Sequence, residues 1–454
     1  MKKLNRILFS LIAQVVDPVG DGAFDVPKTE SIPLDEKTLS SVYAHAKRHD
    51  LCHLLASAVR ENAECKMQNA ELDEALTPGE LRESGERAVG IGGPQKASHS
   101  GRGVGTATVG TGVPDGPQKA SHSGRGVGTA DGEGTPDLMQ TLERAELTAV
   151  WRVRNIENEQ GRVRKCLEEA GIPFILLKGA VMRSYYPAAW MRTSSDIDVL
   201  VPKGELARAI AVIEKNLGYE ISTTEPHDAS LYSKSRVHLD MHTLFEGDRE
   251  DEALLNAAWR DSRDEGGCEH FLTPEHFYFY HVAHMAEHVR NGGCGIRPFI
   301  DLYLLNAKLD LDRARVEALL AEYGLGRFEA MAVQLSESWM RGTESEALES
   351  FEEYILAGGV YGTIAQTVAA KRRDGQGKLG YLMHRIFMPY SELKERHPRL
   401  DGRPWLTPFF EIWRWCGLAV PSRFKRSRKE LKNASFVESD KVLAVKELFD
   451  TLGL

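Results

Sequence analysis

Asp196 and Asp198 stand two positions apart in an apolar run, with Ile197, Val199, Leu200 and Val201 around them, that reads as a buried strand. Carboxylates in such a strand are costly unless they are paired, hydrogen-bonded or bound to a cation. Residues two apart on a strand share a face, with Cα atoms ~7 Å apart, so both side chains can converge on one or two hard cations. A later stretch, "HLDMH", puts His238, Asp240 and His242 on one face of another strand, and Asp240 supplies a third carboxylate. Three carboxylates with few protein nitrogens favour Mg²⁺ or Mn²⁺, which keep waters and accept substrate phosphates as further ligands. Two such ions ~4 Å apart can activate an attacking hydroxyl and stabilise a leaving pyrophosphate. The bland alternative is an edge strand with solvated aspartates.

Upstream, Lys178-Gly179 sits where a short strand turns into a helix. A helix start offers free backbone N–H groups to phosphate, glycine allows close approach, and the lysine adds a point charge. Arg192, four residues before Asp196, could reach a triphosphate oxygen, and Ser195 joins Lys178, Gly179 and Arg192 as a candidate nucleotide contact. Each has an ordinary counterpart. A lysine at a strand end is often simply solvated, and Arg192 could pair with a local carboxylate to hold its loop. Tyr185 and Tyr186 are expected to pack a helix face rather than stack on a base. His242 is expected beside Asp240 or hydrogen-bonded to it.

These residues need elements to position them. Helical periodicity over "DLMQTLERAELTAVWRVRNIENEQGRVRKCLEEAG" (137–171) ends at Gly171, with Pro173 beyond. Strands are expected at 174–177, 196–201, 219–223 and 236–245, and helices at 179–186 and 203–216. The result is an alternating α/β core over 138–250. Apolar positions at helical spacing mark 36–64, and the chain from 251 to 454 reads as mostly helical. Between these lies a Gly-rich stretch, 77–137, in which "GPQKASHSGRGVGTA" occurs at 93–107 and again at 116–130. Neither copy has a hydrophobic face to stack, so a disordered insertion is expected rather than a solenoid. The expected divisions are a 1–76 helical region, the 77–137 insertion, the 138–250 core and a 251–454 helical domain.

The totals bound the remaining possibilities. At 454 residues the chain exceeds the ~250 at which single cores commonly stop growing. A net charge of −9 argues against general nucleic-acid coating. Six scattered cysteines without a CxxC pair suit a reducing cytoplasm and give no zinc signature. The opening "MKKLNRILFSLIAQVV" is read as an amphipathic helix rather than a signal peptide, because Arg6 and Gln14 interrupt it. "WLTPFFEIWRWCGLAV" contains Glu411 and Arg414 and falls short of the ~20 apolar residues of a span. A cytoplasmic protein without membrane contact is expected. "SRFKRSRKELK" (422–432) is a solvated face by default and the best local candidate for an anionic partner such as RNA. "HMAEH" (284–288) matches the inverted zinc-protease pattern, with two histidines at i and i+4 and a glutamate as base. A metallopeptidase would need a third ligand beside His284 and His288, and Glu287 facing a cleft.

The stretch "LLKGAVMRSYYPAAWMRTSSDIDVLV" with "HLDMH" resembles the core of the DNA polymerase β-like nucleotidyltransferase superfamily. Within it, the chain closely resembles a bacterial family described as uncharacterised nucleotidyltransferases, with an LKG…Y…P…R…DIDLLV…DLH pattern. The likeness extends to the flanks "YAHAKRHDLCHLLASAV", "TPEHFYFYHVAHMAEHV…IRPFIDLYLL" and "RIFMPYSELKERHPRL…PWLTPF". It implies an α+β fold: a small mixed sheet with helices, flanked by N- and C-terminal helical regions. It also implies metal ligation by Asp196, Asp198 and Asp240, nucleotide contact around Lys178-Gly179, and transfer of NMP from an NTP to an acceptor hydroxyl. The acceptor stays open among protein, small molecule, sugar and RNA. Two departures bear on the phosphate geometry. Gly179-Ala180 replaces the usual Gly-Ser or Gly-Gly pair, and the gap to Asp196 is long. A non-catalytic nucleotide-binding module remains the alternative from a different class.

Overall fold

In the computed structural model, the long helix that precedes the sheet sets the frame. The structure describes residues 2–16, 34–63, 137–244, 252–343, 345–360, 362–372 and 439–454, together with 387–417 except 391–392, 395–396, 398–399 and 401. Residues 1–66 and 137–454 form one compact unit. The repeat-bearing segment up to residue 136 and the basic run at 422–432 lie outside the described residues.

Helices α1 (Lys2–Val16) and α2 (Glu36–Arg48) come first. Then α3 (Leu138–Glu169) starts on Asp137, whose side chain accepts from the Met139 N–H. It buries Val153, Ile156, Val163 and Leu167 along one stripe and stops at Gly171, whose φ of +61° closes the turn. Strand β1 (Phe174–Leu176) leads through a four-residue helix, α4 (Gly179–Met182), and a loop to β2 (Asp196–Leu200). Helix α5 (Leu206–Leu217) is followed by β3 (Glu220–Thr224), β4 (Asp228–Tyr232) and β5 (His238–His242). Helix α6 (Glu252–Asp261) and the short strands β6 (Arg263–Asp264) and β7 (Glu269–Phe271) precede α7 (Pro274–Arg290) and α8 (Arg297–Lys308). The rest is helical: α9 (Arg313–Glu322), α10 (Gly326–Arg341), α11 (Glu349–Gly358), α12 (Ile364–Arg372), α13 (Thr407–Gly417) and α14 (Ser439–Leu452). No described helix is long and apolar enough to cross a membrane.

The seven strands form one mixed sheet in the order β3-β4-β5-β2-β1-β7-β6. Strands β2 and β5 run parallel with Asp196 opposite His238 and Asp198 opposite Asp240. Because side chains alternate, Phe174, Leu176, Ile197, Val199, Leu239 and Met241 all point to one face and are buried with residues of α3 and α5. The opposite face is divided. Around β1 it is apolar, where Ile175, Leu177 and Leu200 pack with Leu255 of α6 and Tyr280 of α7. Around β2, β5 and β4 it carries Asp196, Asp198, His238, Asp240, His242 and Ser230. That polar half-face is where chemistry can be placed.

The α+β class, with a small mixed sheet between helical regions, is as expected. The structure adds β4, which joins β3 to β5, and the strand pair β6–β7, which carries the sheet past residue 250. The run expected as one strand over 236–245 is extended only from His238 to His242. A turn in which the Arg236 N–H donates to the Ser233 carbonyl, with Arg236 at φ +65°, sets its start.

Candidate functional site

Adjoining parallel strands place Asp196 and His238 side by side at the beginnings of β2 and β5, with Asp240 one step along. Among the described residues, these three form the one group of three or more His, Cys, Asp or Glu donors within reach of a single cation. Their ligand atoms all lie within 4.8 Å of one another. His238 Nε2 is 3.0 Å from an Asp240 oxygen, and the ring stacks on Tyr232 with centroids 4.6 Å apart. Ser230 donates to the same Asp240 oxygen. Burial, and next the charge of Asp198, raises the Asp196 carboxyl pKa above its ordinary value. The hydrogen bond to Asp240 raises that of His238. Two carboxylates and an imidazole within reach of one another are a donor set that suits a divalent cation.

Asp198 stands apart from that group. It is 2% exposed, and its Oδ1 receives Lys178 Nζ at 2.9 Å and faces His242 Nε2 at 3.4 Å. The other ring nitrogen of His242 lies 2.7 Å from an Asp228 oxygen, so the ring donates to both carboxylates only as the imidazolium. Burial opposes the Asp198 charge, but His242 and Lys178 outweigh it and hold the carboxyl below its usual pKa. Lys178 reaches Asp198 from a backbone at φ +46°, ψ −121°, a conformation that favours glycine and costs a lysine about 1–3 kcal/mol. Nearby, a Cβ added to Gly179 would lie 2.9 Å from both Cβ and Oγ of Ser194. Glycine is required there by the neighbouring loop itself.

That loop is anchored from several sides. Arg183, buried between α4 and α3, donates to Gln160 Oε1 at 2.6 Å and to Ser194 Oγ at 3.0 Å, and Ser194 turns to the Asp196 carbonyl. Burial pushes the Arg183 pKa down to about 10. Arg192 turns toward α8. Its guanidinium grips Asp301 of α8 through Nε and Nη2 at 2.7–2.9 Å and donates to the Thr193 carbonyl through Nη1. Tyr186 also donates to Asp301, at 2.8 Å. Burial works against both charges of this pair, yet their attraction wins: the pKa of Asp301 falls and that of Arg192 rises. Tyr185 stacks on Phe277 of α7, so both tyrosines serve packing. Ser195 is exposed beside Asp196.

His284 and His288 on α7 meet with Nε2 atoms 3.0 Å apart, but among the described residues no group of three or more donors includes them. The third ligand that a zinc peptidase site needs is thus not among the described residues. Sequence reasoning placed His238 on the correct face without giving it a role, and it missed Asp228, Ser230 and Arg183. The signal for His238 was its position two before Asp240, which becomes informative once the register against Asp196 is known.

Residues 124–341 match the family model described as "Uncharacterised nucleotidyltransferase". The match spans the sheet, α3 and the helices through α10, and a domain of this family supports a general role in nucleotidyl transfer. The likeness read over residues 43–59 and 385–409 lies outside the matched span. No curated protein and no solved structure matches the chain significantly.

Proposed function

We propose, from the match of residues 124–341 to the uncharacterised nucleotidyltransferase family, that the protein transfers a nucleoside monophosphate from an NTP to an acceptor hydroxyl, releasing pyrophosphate. The observation that carries the proposal is the cation-sized group of Asp196, His238 and Asp240, beside Asp198 and Lys178, on the polar half-face of the sheet in that domain. Asp196 and Asp240, with the His238 ring, would hold a divalent cation. Such a cation supplies Lewis acidity toward the α-phosphate and lowers the pKa of a hydroxyl bound to it. Asp240, partly open to solvent, is placed to draw the proton from the acceptor oxygen. Lys178 contributes a positive charge where the triphosphate charge must be met, and Asp198 holds it there. The exposed Ser195 is available as a neutral donor to phosphate. Arg192, spent on Asp301, acts by holding the loop that leads into β2.

The test is incubation of purified protein with Mg²⁺ or Mn²⁺ and each α-³²P-labelled NTP, with cell lysate as the source of acceptor. A chain carrying Asp196→Ala and Asp198→Ala is run beside it. Label should move to an acceptor with the native chain and stay on the nucleotide with the variant. Metal-dependent nucleotide binding in calorimetry without any transfer would instead identify a nucleotide-binding module.

A further inference from the structure

Of the three carboxylates on β2 and β5, one already has its counter-charge. Asp198 carries Lys178 Nζ at 2.9 Å and His242 Nε2 at 3.4 Å on the same oxygen, and it is almost fully buried. Lys178 adopts a glycine-like backbone to make that contact, so the pairing is built into the turn after β1. His242 is held in turn by Asp228. A cation binding the Asp198 oxygen that carries both contacts would have to displace a half-buried ammonium ion. Asp196 and Asp240 remain, two negative charges with the His238 ring between them, and a single divalent ion balances them.

We propose that this is a one-cation centre, in which Asp196, Asp240 and His238 bind a single divalent ion and the Lys178 ammonium on Asp198 stands where a second ion would otherwise be needed. The proposal rests on the transferase reading for its purpose but not for its chemistry. An imidazole among the ligands shifts the preference from Mg²⁺ toward first-row transition ions, because nitrogen donors suit these better. A fixed ammonium supplies positive charge toward phosphate without a second ion to be recruited.

Mn²⁺ is the probe, titrated into the full chain and followed by electron paramagnetic resonance, alone and with α,β-methylene-ATP. The expected result is one bound Mn²⁺ per chain, no spin-coupled pair, and a ¹⁴N modulation that His238→Ala removes. Lys178→Gly suits the φ of +46° and frees Asp198, so it should raise the capacity from one ion to two. Circular dichroism of each variant confirms that it is folded. Two coupled ions in the native chain, or no Mn²⁺ binding, would overturn the proposal. A ¹⁴N signal that is absent or survives His238→Ala would remove His238 from the centre. A folded Lys178→Gly chain that still binds one ion would remove Lys178 from its role. One ¹⁴N-coupled ion without NMP transfer would leave the centre standing and reject the transferase reading; transfer with two ions would do the reverse.

Discussion

Asp198 and Asp240 face each other across β2 and β5, yet their surroundings ask different things of them. Asp240 is partly open and held by a neutral Ser230 and by His238, whereas Asp198 is buried against a lysine. Asp240→Asn should therefore lower transfer by about 10²–10⁴-fold, the range for loss of a positioned base, with little change in melting temperature. Asp198→Ala should lower activity and also destabilise the fold by about 3 kcal/mol, because it strands Lys178 without its partner in a largely buried place. Chemical denaturation of both variants beside the labelled-NTP assay separates the two effects. The carboxylates were legible in the sequence because strand alternation puts residues two apart on one face whatever the rest of the chain does. Arg192 was not. Its partner Asp301 lies 109 residues away on α8, and nothing at four residues' spacing from Asp196 signals which way the loop turns the guanidinium.

At the scale of elements, the segment between α4 and β2 decides whether Asp196 stands where it must. Gly179→Ala puts a Cβ 2.9 Å from Ser194, and overpacking of this kind costs about 1–3 kcal/mol. Ser194→Gly removes the obstructing atoms, so the double variant should recover part of that loss in urea unfolding, whereas independent sites would simply add. Farther along the loop, Arg192→Met leaves Asp301 charged, fully buried and hydrogen-bonded only by Tyr186 in place of its guanidinium. A cost of about 3–5 kcal/mol is expected, and Arg192→Met with Asp301→Leu should be milder than Arg192→Met alone. β1, β2 and α5 were legible because each combines an apolar period with a stop signal such as Pro202 or Gly218. β4, β6 and β7 were not. They are two to five residues long, carry charged or polar side chains, and exist because neighbouring strands offer them hydrogen-bond partners.

Across the whole molecule, the loop before β2 is gripped from both ends of the sequence, and this makes its stability depend on pH. From the N-terminal region, the His53 Nε2–H donates to the Met191 carbonyl at 3.0 Å, and Asp50 pairs with Arg297 at the start of α8 at 2.7 Å. From the C-terminal side, Asp301 holds Arg192. Burial pushes the pKa of His53 down to about 4, and burial with neighbouring His45 does the same for His49. An unfolded chain protonates these rings below pH ~6.5, whereas the folded chain keeps them neutral until about pH 4. The unfolded state then binds more protons, so stability is fully present above pH ~6.5 and declines as the pH falls toward 4. Each ring contributes a slope of up to about 1.4 kcal/mol per pH unit within that window. His53→Gln keeps a donor for Met191 and removes one titration. Urea unfolding at pH 7, 6 and 5 should show the variant losing less stability than the native chain, by about 0.7 kcal/mol from pH 7 to 6 and about 1.2 kcal/mol from pH 6 to 5. Parallel slopes would mean that His53 already carries its proton in the fold, and with it a positive charge between Asp50 and the site loop.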